Sequence, residues 1–380
     1  MKLCYWTNYP SRYQTVFFNA LRDVGIDLVV IYFTTYDGYR KTLGWKERSE
    51  LQPWELRASS VHEAKKAIPD FGQRVQVCTG FFGRAYWDVV CYCILRRLVW
   101  CACAEGSRGG WTTWPVRVIF ARLVDRFGLG VFAIGRVACE QYAQWGVRRT
   151  KIAWHSHSTP APSDVPCRSV SGTGAKGCTF VFCGALTRRK GVDVLLKAFA
   201  EVHARCPSSV LRLVGDGPWR SRCESFARDR FGGATLTRRS PPLVLVGAVE
   251  PGAVEGELLK GDVVVLPSRY DAWGVALAEG SALGLAMIGS DRTGAAADLI
   301  EDGVNGFRVA AGSVASLARA MLRYAEQSGL ALAHGAKARE AAERTFAEVR
   351  ARAFIRQLEE WKLGDGSRGG AEICRGQLRQ

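Results

Sequence analysis

Two acidic residues, Asp271 and Glu279, stand eight positions apart around a pattern that is typical of a helix start. Asp271 falls in the turn that follows the strand-like run Asp262–Leu266, and Glu279 lies about two turns inside a helix predicted from Gly274. A helix N-terminus offers free N–H groups and a positive dipole end to a phosphate, and a glycine lets the backbone approach closely. Two carboxylates that flank a phosphate would bind hydroxyl groups on both sides of a diphosphate. This arrangement suits a nucleotide sugar as the ligand.

A basic turn precedes this segment, where residues 184–191 read Gly-Ala-Leu-Thr-Arg-Arg-Lys-Gly between a strand-like run and a helical pattern. A lysine near a helix start is ordinarily solvated, but the place of Lys190 at a strand-to-helix turn predicts a binding role. Arg188 and Arg189 are equally consistent with solvent exposure and with binding. Asp216, in a Gly-Asp-Gly turn, is interpreted as structural because aspartate there bonds to backbone groups.

Strands and helices alternate throughout the C-terminal half. Apolar runs end in turns rich in Gly, Pro or Ser, and most of these turns are followed by a helical pattern; the runs are Thr179–Cys183, Val210–Val214, Leu243–Val246, Asp262–Leu266 and Ala286–Gly289. Such spacing specifies a parallel, doubly wound sheet with both faces covered. Ligands of these sheets bind at the carboxyl ends of the strands. The N-terminal half opens with a β-α-β unit and also reads as an α/β domain, although 35–70 shows no clear pattern.

The chain of 380 residues is long enough for two domains. We predict an N-terminal Rossmann-like domain at 1–157, a linker rich in Ser, Pro and Gly at 158–177, and a second Rossmann-like domain at 178–345. Residues 172–177 match G-x-G-x-x-G, but they precede a strand, whereas a dinucleotide fingerprint follows one. A C-terminal helix at 346–363 could pack back on the first domain, and 364–380 reads as a frayed tail.

Residues 179–310 resemble the family 4 glycosyltransferases, retaining enzymes of the GT-B fold whose signature has two acids with seven residues between them. The resemblance covers about a third of the chain and includes, in the family's order, the basic turn, the Gly-Asp-Gly-Pro turn at 215–218, the acid segment and 293–306. It implies an α/β protein with two Rossmann-like domains whose parallel sheets face each other across a cleft. The N-terminal half is similar only in organisation.

The resemblance also implies roles for individual residues. Glu279 would bind the nucleotide ribose, Asp271 the donor sugar, and Lys190 the diphosphate, whose departure it would stabilise electrostatically. Transfer would retain the anomeric configuration and would need no metal or other cofactor. The residues that would contact the donor are Gly184, Arg188, Arg189, Lys190, Asp271, Trp273, Gly274, Val275 and Glu279.

Two positions depart from the family pattern. The first acid is usually Glu and here is the shorter Asp271, which would alter the choice of donor. A basic residue usually follows the first glycine of the basic turn, where this chain has Ala185. Either Arg188 or Arg189 compensates, or phosphate binding depends on Lys190 alone.

The N-terminal domain would bind the acceptor. His155 and His157 form an H-x-H pair beside the linker and could line the cleft, although a structural histidine is the simpler interpretation. Glu105 ends an apolar run and would lie at the carboxyl end of a strand. The turn Pro10-Ser11-Arg12 after the first strand would face the same side.

The net charge of +16 indicates a polyanionic partner. Residues 84–151 hold eleven Lys and Arg against four Asp and Glu. Within them, Trp114–Phe127 has apolar residues at helical spacing, namely Val116, Ile119, Phe120, Leu123 and Phe127, with Arg117, Arg122 and Arg126 elsewhere around the helix. Such a helix can lie in the headgroup layer of a membrane. Alternatively, its apolar stripe packs on the N-terminal sheet and its arginines face water.

No apolar run reaches the roughly 20 residues that span a bilayer, and the N-terminus lacks the pattern of a signal peptide. We therefore predict a cytoplasmic protein that could contact the inner face of the cell membrane. The thirteen cysteines lie in apolar runs and read as buried, reduced thiols rather than as a zinc site.

The sequence thus predicts a glycosyltransferase that moves a sugar from a UDP- or GDP-linked donor to a glycan or lipid-linked acceptor, in the synthesis of bacterial surface polysaccharide or glycolipid. A nucleotide-sugar epimerase of the same fold would use a similar nucleotide site and need no acceptor. A non-catalytic, basic nucleic-acid-binding protein would explain the charge, but the chain shows no nucleic-acid-binding module.

Overall fold

The computed structural model describes residues 1–33, 50–80, 83–107, 113–161, 177–232 and 241–364. The described residues up to Ser158 and from Thr345 onward form a first compact unit, and those from Thr159 to Arg344 form a second. Most of the predicted linker 158–177 and tail 364–380 lies outside the described residues.

The first unit is built on a parallel sheet that has seven strands among the described residues, in the order β3-β2-β1-β4-β5-β6-β7. The strands are β1 (Lys2–Thr7), β2 (Asp27–Tyr32), β3 (Glu55–Arg57), β4 (Val75–Cys78), β5 (Trp100–Glu105), β6 (Val131–Ile134) and β7 (Ile152–His155). In β1, Leu3 pairs with Leu28 on one side and with Val75 on the other. These strands are apolar on both faces because helices cover both faces of the sheet.

The helices of the first unit are α1 (Arg12–Asp23), α2 (Val61–Ala67), α3 (Arg84–Leu95), α4 (Trp114–Phe127), α5 (Arg136–Gln144) and α13 (Ala347–Lys362). The C-terminal helix α13 packs beside α1: the ring of Phe354 lies 5.5 Å from Phe17 and 3.9 Å from Phe132, centroid to centroid. The core between sheet and helices α2–α5 includes Val61, Val89, Phe120 and Tyr142. The last of the described helices thus packs on the sheet and on α1 of the first unit.

Helix α4 matches neither of its two predicted arrangements in full. Arg117, expected on the polar side, is only 4% exposed; it hydrogen-bonds Thr113, and its guanidinium carbon lies 5.6 Å from the Trp145 ring centroid. Ile119 and Phe127, expected in the apolar stripe, are 53% and 52% exposed. The burial of Arg117 was not predicted, because it depends on Trp145, which lies outside the helix and supplies a partner for the arginine. The exposure of Ile119 and Phe127 contradicts packing of the whole apolar stripe on the N-terminal sheet.

The second unit contains a parallel sheet of six strands among the described residues, in the order β10-β9-β8-β11-β12-β13. The strands are β8 (Thr179–Cys183), β9 (Val210–Val214), β10 (Leu243–Gly247), β11 (Val263–Leu266), β12 (Ala286–Ser290) and β13 (Gly306–Val309). The helices are α6 (Val192–Arg205), α7 (Arg220–Phe231), α8 (Val254–Leu258), α9 (Val275–Ala282), α10 (Gly294–Leu299), α11 (Val314–Glu326) and α12 (Leu330–Ala342). The prediction of two Rossmann-like α/β domains with parallel sheets is confirmed.

Strand order identifies the expected ligand position in the second sheet. The chain moves from β8 outward through β9 to β10, then returns to the other side of β8 to form β11. The crevice where the winding direction reverses, outside the carboxyl ends of β8 and β11, is where open α/β sheets bind ligands. The basic turn follows β8 and the acid segment follows β11, so both turns lie at this switch point.

Candidate donor site

An arginine connects the two turns at the switch point. Arg269, in the turn after β11, donates to both carboxylate oxygens of Asp193 in the first turn of α6, at 2.6 and 2.7 Å. Its guanidinium also donates to the carbonyl of Arg188, and its backbone N–H donates to the carbonyl of Arg189, both at 2.8 Å. Burial would raise the pKa of Asp193, but hydrogen bonds and the charge of Arg269 hold it below its usual value. The two turns are therefore held in a fixed relative position.

Close packing favours glycine on both turns, against backbone at Gly191 and against side chains at Gly274. Gly191, which caps α6, has φ +74, and a Cβ atom there would lie 2.1 Å from the carbonyl oxygen of Pro267. Gly274, which caps α9, has φ +97, and its Cβ would lie 2.6 Å from Cγ2 of Thr293. Both values are far below van der Waals contact, so no larger residue fits without a shift of the turns.

Lys190 and Asp271 form an ion pair between the two turns. Their side chains are 15% and 13% exposed. The would-be Cβ of Gly184 lies 3.9 Å from Lys190 Cε, so the lysine side chain runs past the glycine that follows β8. Arg189 is a second cation near the pair, with Nη1 3.9 Å from Asp271 Oδ1, but it is 55% exposed and donates to the carbonyl of Tyr270 at 3.0 Å. The structure thus brings together Lys190, Arg189 and Asp271, whereas the side chain of Arg188 is exposed.

The N-terminus of α9 lies directly beside this pair. Its cap residue Gly274 is in the left-handed conformation, and among the described residues no side chain caps the helix. Asp271 Oδ2 is 3.8 Å from the would-be Cβ of Gly274. Trp273 is 1% exposed, so its side chain belongs to the core. The carboxylate, the ammonium group and the helix start therefore occupy one small region.

Glu279 lies about one turn inside the helix, rather than two as expected, since α9 begins at Val275 and one turn takes about 3.6 residues. Val275, Ala276 and Glu279 are half-buried, whereas Leu277, Ala278 and most of the remaining helix are buried. Spacing of three and four residues places these half-buried positions on one side of the helix. Glu279 thus shares the accessible side of α9 with its first residues.

Asp216 has partners within its own turn. Its Oδ1 accepts from the backbone N–H of Gly217 at 2.7 Å, and its Oδ2 accepts from Arg220 at 3.2 Å. A Cβ at Gly215 would lie 2.1 Å from the carbonyl oxygen of Gly184, so this turn packs directly on the turn after β8. These contacts give Asp216 a role in the shape of the turn.

The candidates of the first unit separate into two groups. His155 is buried against Phe17 and Phe132, and burial lowers its pKa well below the usual value. His157, by contrast, lies with its Nε2 2.6 Å from Glu105 Oε1, and its ring is 4.2 Å from that of Tyr13. The structure thus pairs two candidates that the sequence could name only separately.

At the turn after β1, Ser11 is buried and its hydroxyl donates to Gln14 at 2.8 Å, while Pro10 and Arg12 are half-buried. Sequence reasoning missed Arg269, Asp193, Gly191 and Tyr13. A basic residue beside the acid segment and an acid in the first turn of α6 were the signal for the first two.

Comparisons with known proteins identify a family model and several similar chains. The model of the family described as glycosyl transferases group 1 matches residues 177–327. A GDP-mannose-dependent phosphatidylinositol monomannoside mannosyltransferase of Mycolicibacterium smegmatis is 27% identical over 56% of this chain and 56% of its own length. A lipopolysaccharide core mannosyltransferase of Rhizobium leguminosarum is 28% identical over 54% and 57%. An exopolysaccharide phosphotransferase of Streptomyces coelicolor is 29% identical over 52% of this chain.

The chain spans between 20% and 57% of the length of these relatives. Among solved structures, HepE of Anabaena in complex with UDP has a TM-score of 0.71 at 16% identity and covers 95% of this chain and 100% of its own. The lipopolysaccharide outer core galactosyltransferase WaaB has a TM-score of 0.69 at 16% identity, over 95% and 99%. Residues 177–327 thus carry a glycosyl transferases group 1 domain, and the chain has the two-domain fold of GT-B glycosyltransferases.

Proposed function

We propose that this protein is a retaining glycosyltransferase that moves a hexose from a UDP- or GDP-linked donor to a glycan or lipid-linked acceptor, in the synthesis of bacterial surface polysaccharide or glycolipid. One observation carries the proposal. Lys190 and Asp271 meet at the switch point of the second sheet, beside the start of α9, which is the helix that carries Glu279. A cation, a helix start and two carboxylates suit a ligand with a diphosphate between two hydroxyl-bearing groups.

In this mechanism Lys190 and the N–H groups of Trp273, Gly274 and Val275 bind the diphosphate and stabilise the charge that grows on it as the sugar departs. Asp271 binds hydroxyl groups of the sugar, and Glu279 binds those of the ribose. Because the lysine and the helix dipole supply positive charge, the reaction needs no bound metal. Activity in the presence of excess EDTA tests this last point, and its loss would contradict it.

A panel of nucleotides tests the proposal directly. UDP, GDP and their sugars should raise the melting temperature selectively, since a ligand at 100 times its Kd adds about 2.7 kcal/mol of stability. Products are then analysed with and without an acceptor. Isomerised nucleotide sugar in the absence of acceptor would favour an epimerase, and no response to any nucleotide would contradict the donor site.

Glu279→Gln should weaken donor binding about 10- to 100-fold and leave the fold intact, because a hydrogen bond to a charged group contributes about 1.5–3 kcal/mol. Titration calorimetry with the responding nucleotide measures the change. Glu301→Gln is the control, since Glu301 is exposed and lies outside the site. Equal donor affinity in Glu279→Gln and wild type would remove Glu279 from the ribose site.

We also propose that the acceptor is held at the cytoplasmic face of an anionic membrane, on the side of the first unit covered by α3 and α4. These helices are neighbours, since the rings of Trp87 and Phe120 lie 6.0 Å apart. The exposed residues of these helices and of the turn that follows α3 include Leu95, Arg96, Arg97, Ile119, Arg122 and Arg126, which we call the α3–α4 face. Asp88, exposed on α3, lies 3.9 Å from Arg84 in an ion pair. Apolar and basic groups together match an anionic headgroup layer.

None of the described helices is long and apolar enough to cross a membrane. Because the α3–α4 face is basic, binding through it should need anionic lipid and should fall as salt rises. Sedimentation with phosphatidylcholine vesicles that contain about one third phosphatidylglycerol measures it. Arg122→Gln/Arg126→Gln should weaken binding about 30-fold, at about 1 kcal/mol for each charge.

Arg228→Gln/Arg230→Gln on α7 removes two exposed charges from the second unit and serves as the matched control. Equal losses in the two double variants would show a response to net charge rather than to the α3–α4 face. A wild-type protein that ignores anionic vesicles at low salt would favour a soluble acceptor.

A further inference from the structure

The two side chains proposed to bind different parts of the donor bind each other. Lys190, proposed for the diphosphate, has Asp271, proposed for the sugar, as its ion-pair partner. We propose that Asp271 is a selectivity element that competes with the diphosphate for Lys190, so that the site favours nucleotide sugars over free nucleoside diphosphates. This inference rests on the proposed function and extends it to the discrimination between substrate and product.

The pair is held in a rigid frame. Arg269 and Asp193 connect the turns that carry the two residues, and Gly191 packs against the backbone of Pro267. The backbone of Asp271 is fixed as well, since its N–H donates to the carbonyl of Arg292 at 3.0 Å and its own carbonyl accepts from Gly294 at 3.1 Å. These contacts hold the two turns together, so rotation of the side chains is the simplest way to separate the charges.

The surroundings make separation unfavourable. Both side chains are largely buried, so water solvates a separated charge poorly. Arg189 approaches Asp271 Oδ1 only to 3.9 Å, and its exposed guanidinium is hydrogen-bonded to Tyr270, which makes it a weaker substitute for Lys190. A phosphate that draws Lys190 away thus leaves Asp271 with reduced compensation, close to a new negative charge.

A donor sugar changes this balance because its hydroxyl groups donate hydrogen bonds to Asp271 in place of the lysine. A free nucleoside diphosphate has no such groups at this position, and its terminal phosphate repels the carboxylate. Asp271 therefore strengthens the binding of the nucleotide sugar and weakens the binding of the free nucleoside diphosphate. After transfer, the product lacks the sugar, so the same carboxylate promotes its release.

Asp271→Asn tests the role of the carboxylate charge in the binding of each ligand, because asparagine keeps the size and the backbone contacts but removes the charge. Titration calorimetry is done with the nucleoside diphosphate that stabilises the wild type, with its nucleotide sugar and with inorganic pyrophosphate. We expect the diphosphate and pyrophosphate to bind on the order of tenfold tighter to the variant, as one like charge is removed and Lys190 is released. The nucleotide sugar should bind no tighter than to wild type, so the preference for it collapses.

Asp229→Asn on α7 makes the same charge change at an exposed position of the same unit and is the control for long-range electrostatics. In a Lys190→Ala background, Asp271→Asn should tighten diphosphate binding less than it does in the wild type, because no lysine is released. Unchanged or weaker diphosphate binding in Asp271→Asn overturns this inference, and so does an equal gain in affinity in Asp229→Asn. In both cases, binding of the nucleotide sugar by the wild type still supports the proposed function. A wild type that binds neither nucleotide nor nucleotide sugar overturns both.

Discussion

Lys190→Ala should lower turnover by about 100- to 1000-fold, the range observed when one preorganised group that stabilises transition-state charge is removed. Charge grows on the diphosphate as the bond to the sugar breaks, so the lysine contributes more in the transition state than in the bound donor. The effect on kcat should therefore exceed the effect on donor affinity. The side chain is held for this role between the turn after β8 and Asp271.

Initial rates over a range of donor concentrations separate the effect of Lys190→Ala on kcat from its effect on donor affinity. Lys197→Ala is the matched control, because Lys197 is an exposed lysine on α6, the helix that begins directly after the basic turn. Arg188→Ala and Arg189→Ala test the neighbouring cations. Wild-type turnover in Lys190→Ala would contradict the assignment, and a loss confined to Arg188→Ala or Arg189→Ala would move the role to that arginine.

The fold of the second unit follows from the sequence because its strands are apolar runs that end at glycine or at Pro-Ser. The predicted strand Asp262–Leu266 differs from β11 by one residue. The apolar runs alone do not predict the contact between Lys190 and Asp271. It depends on β11 pairing with β8 although β9 and β10 lie between them in the chain, which only the switch-point rule for open sheets anticipates.

Contacts between side chains that are distant in sequence could not be predicted in this way. Arg269 and Asp193 are 76 positions apart, and Glu105 and His157 are 52 apart. A periodic pattern describes one helix or strand at a time, so it does not predict which side chain of another element will be in contact with it. Arg117 shows the same limit, since its burial depends on Trp145 rather than on its position in α4.

Gly191→Ala should destabilise the second unit by about 3 kcal/mol or more, the second large effect that the structure predicts. Two causes act together. A left-handed backbone costs a residue with Cβ about 1–2 kcal/mol, and overpacking adds about 1–3 kcal/mol. The new Cβ would lie 2.1 Å from a backbone oxygen, that of Pro267, so no side-chain rotation can relieve the clash. The turns after β8 and β11 must move apart instead.

Gly312→Ala measures the cost of the left-handed backbone without the cost of overpacking. Gly312 has φ +82, close to the φ of Gly191, but a Cβ there would meet nothing within 4 Å. It should cost only about 1–2 kcal/mol, so calorimetry should show a clearly smaller fall in melting temperature than for Gly191→Ala. Separation of the turns in Gly191→Ala would also weaken the bond from the Arg269 N–H to Arg189 and the approach of Lys190 to Asp271. Turnover should then fall in Gly191→Ala and stay near wild type in Gly312→Ala. Equal melting temperatures in the two variants would show that the backbone absorbs the clash and that the close approach of Gly191 to Pro267 does not position the site.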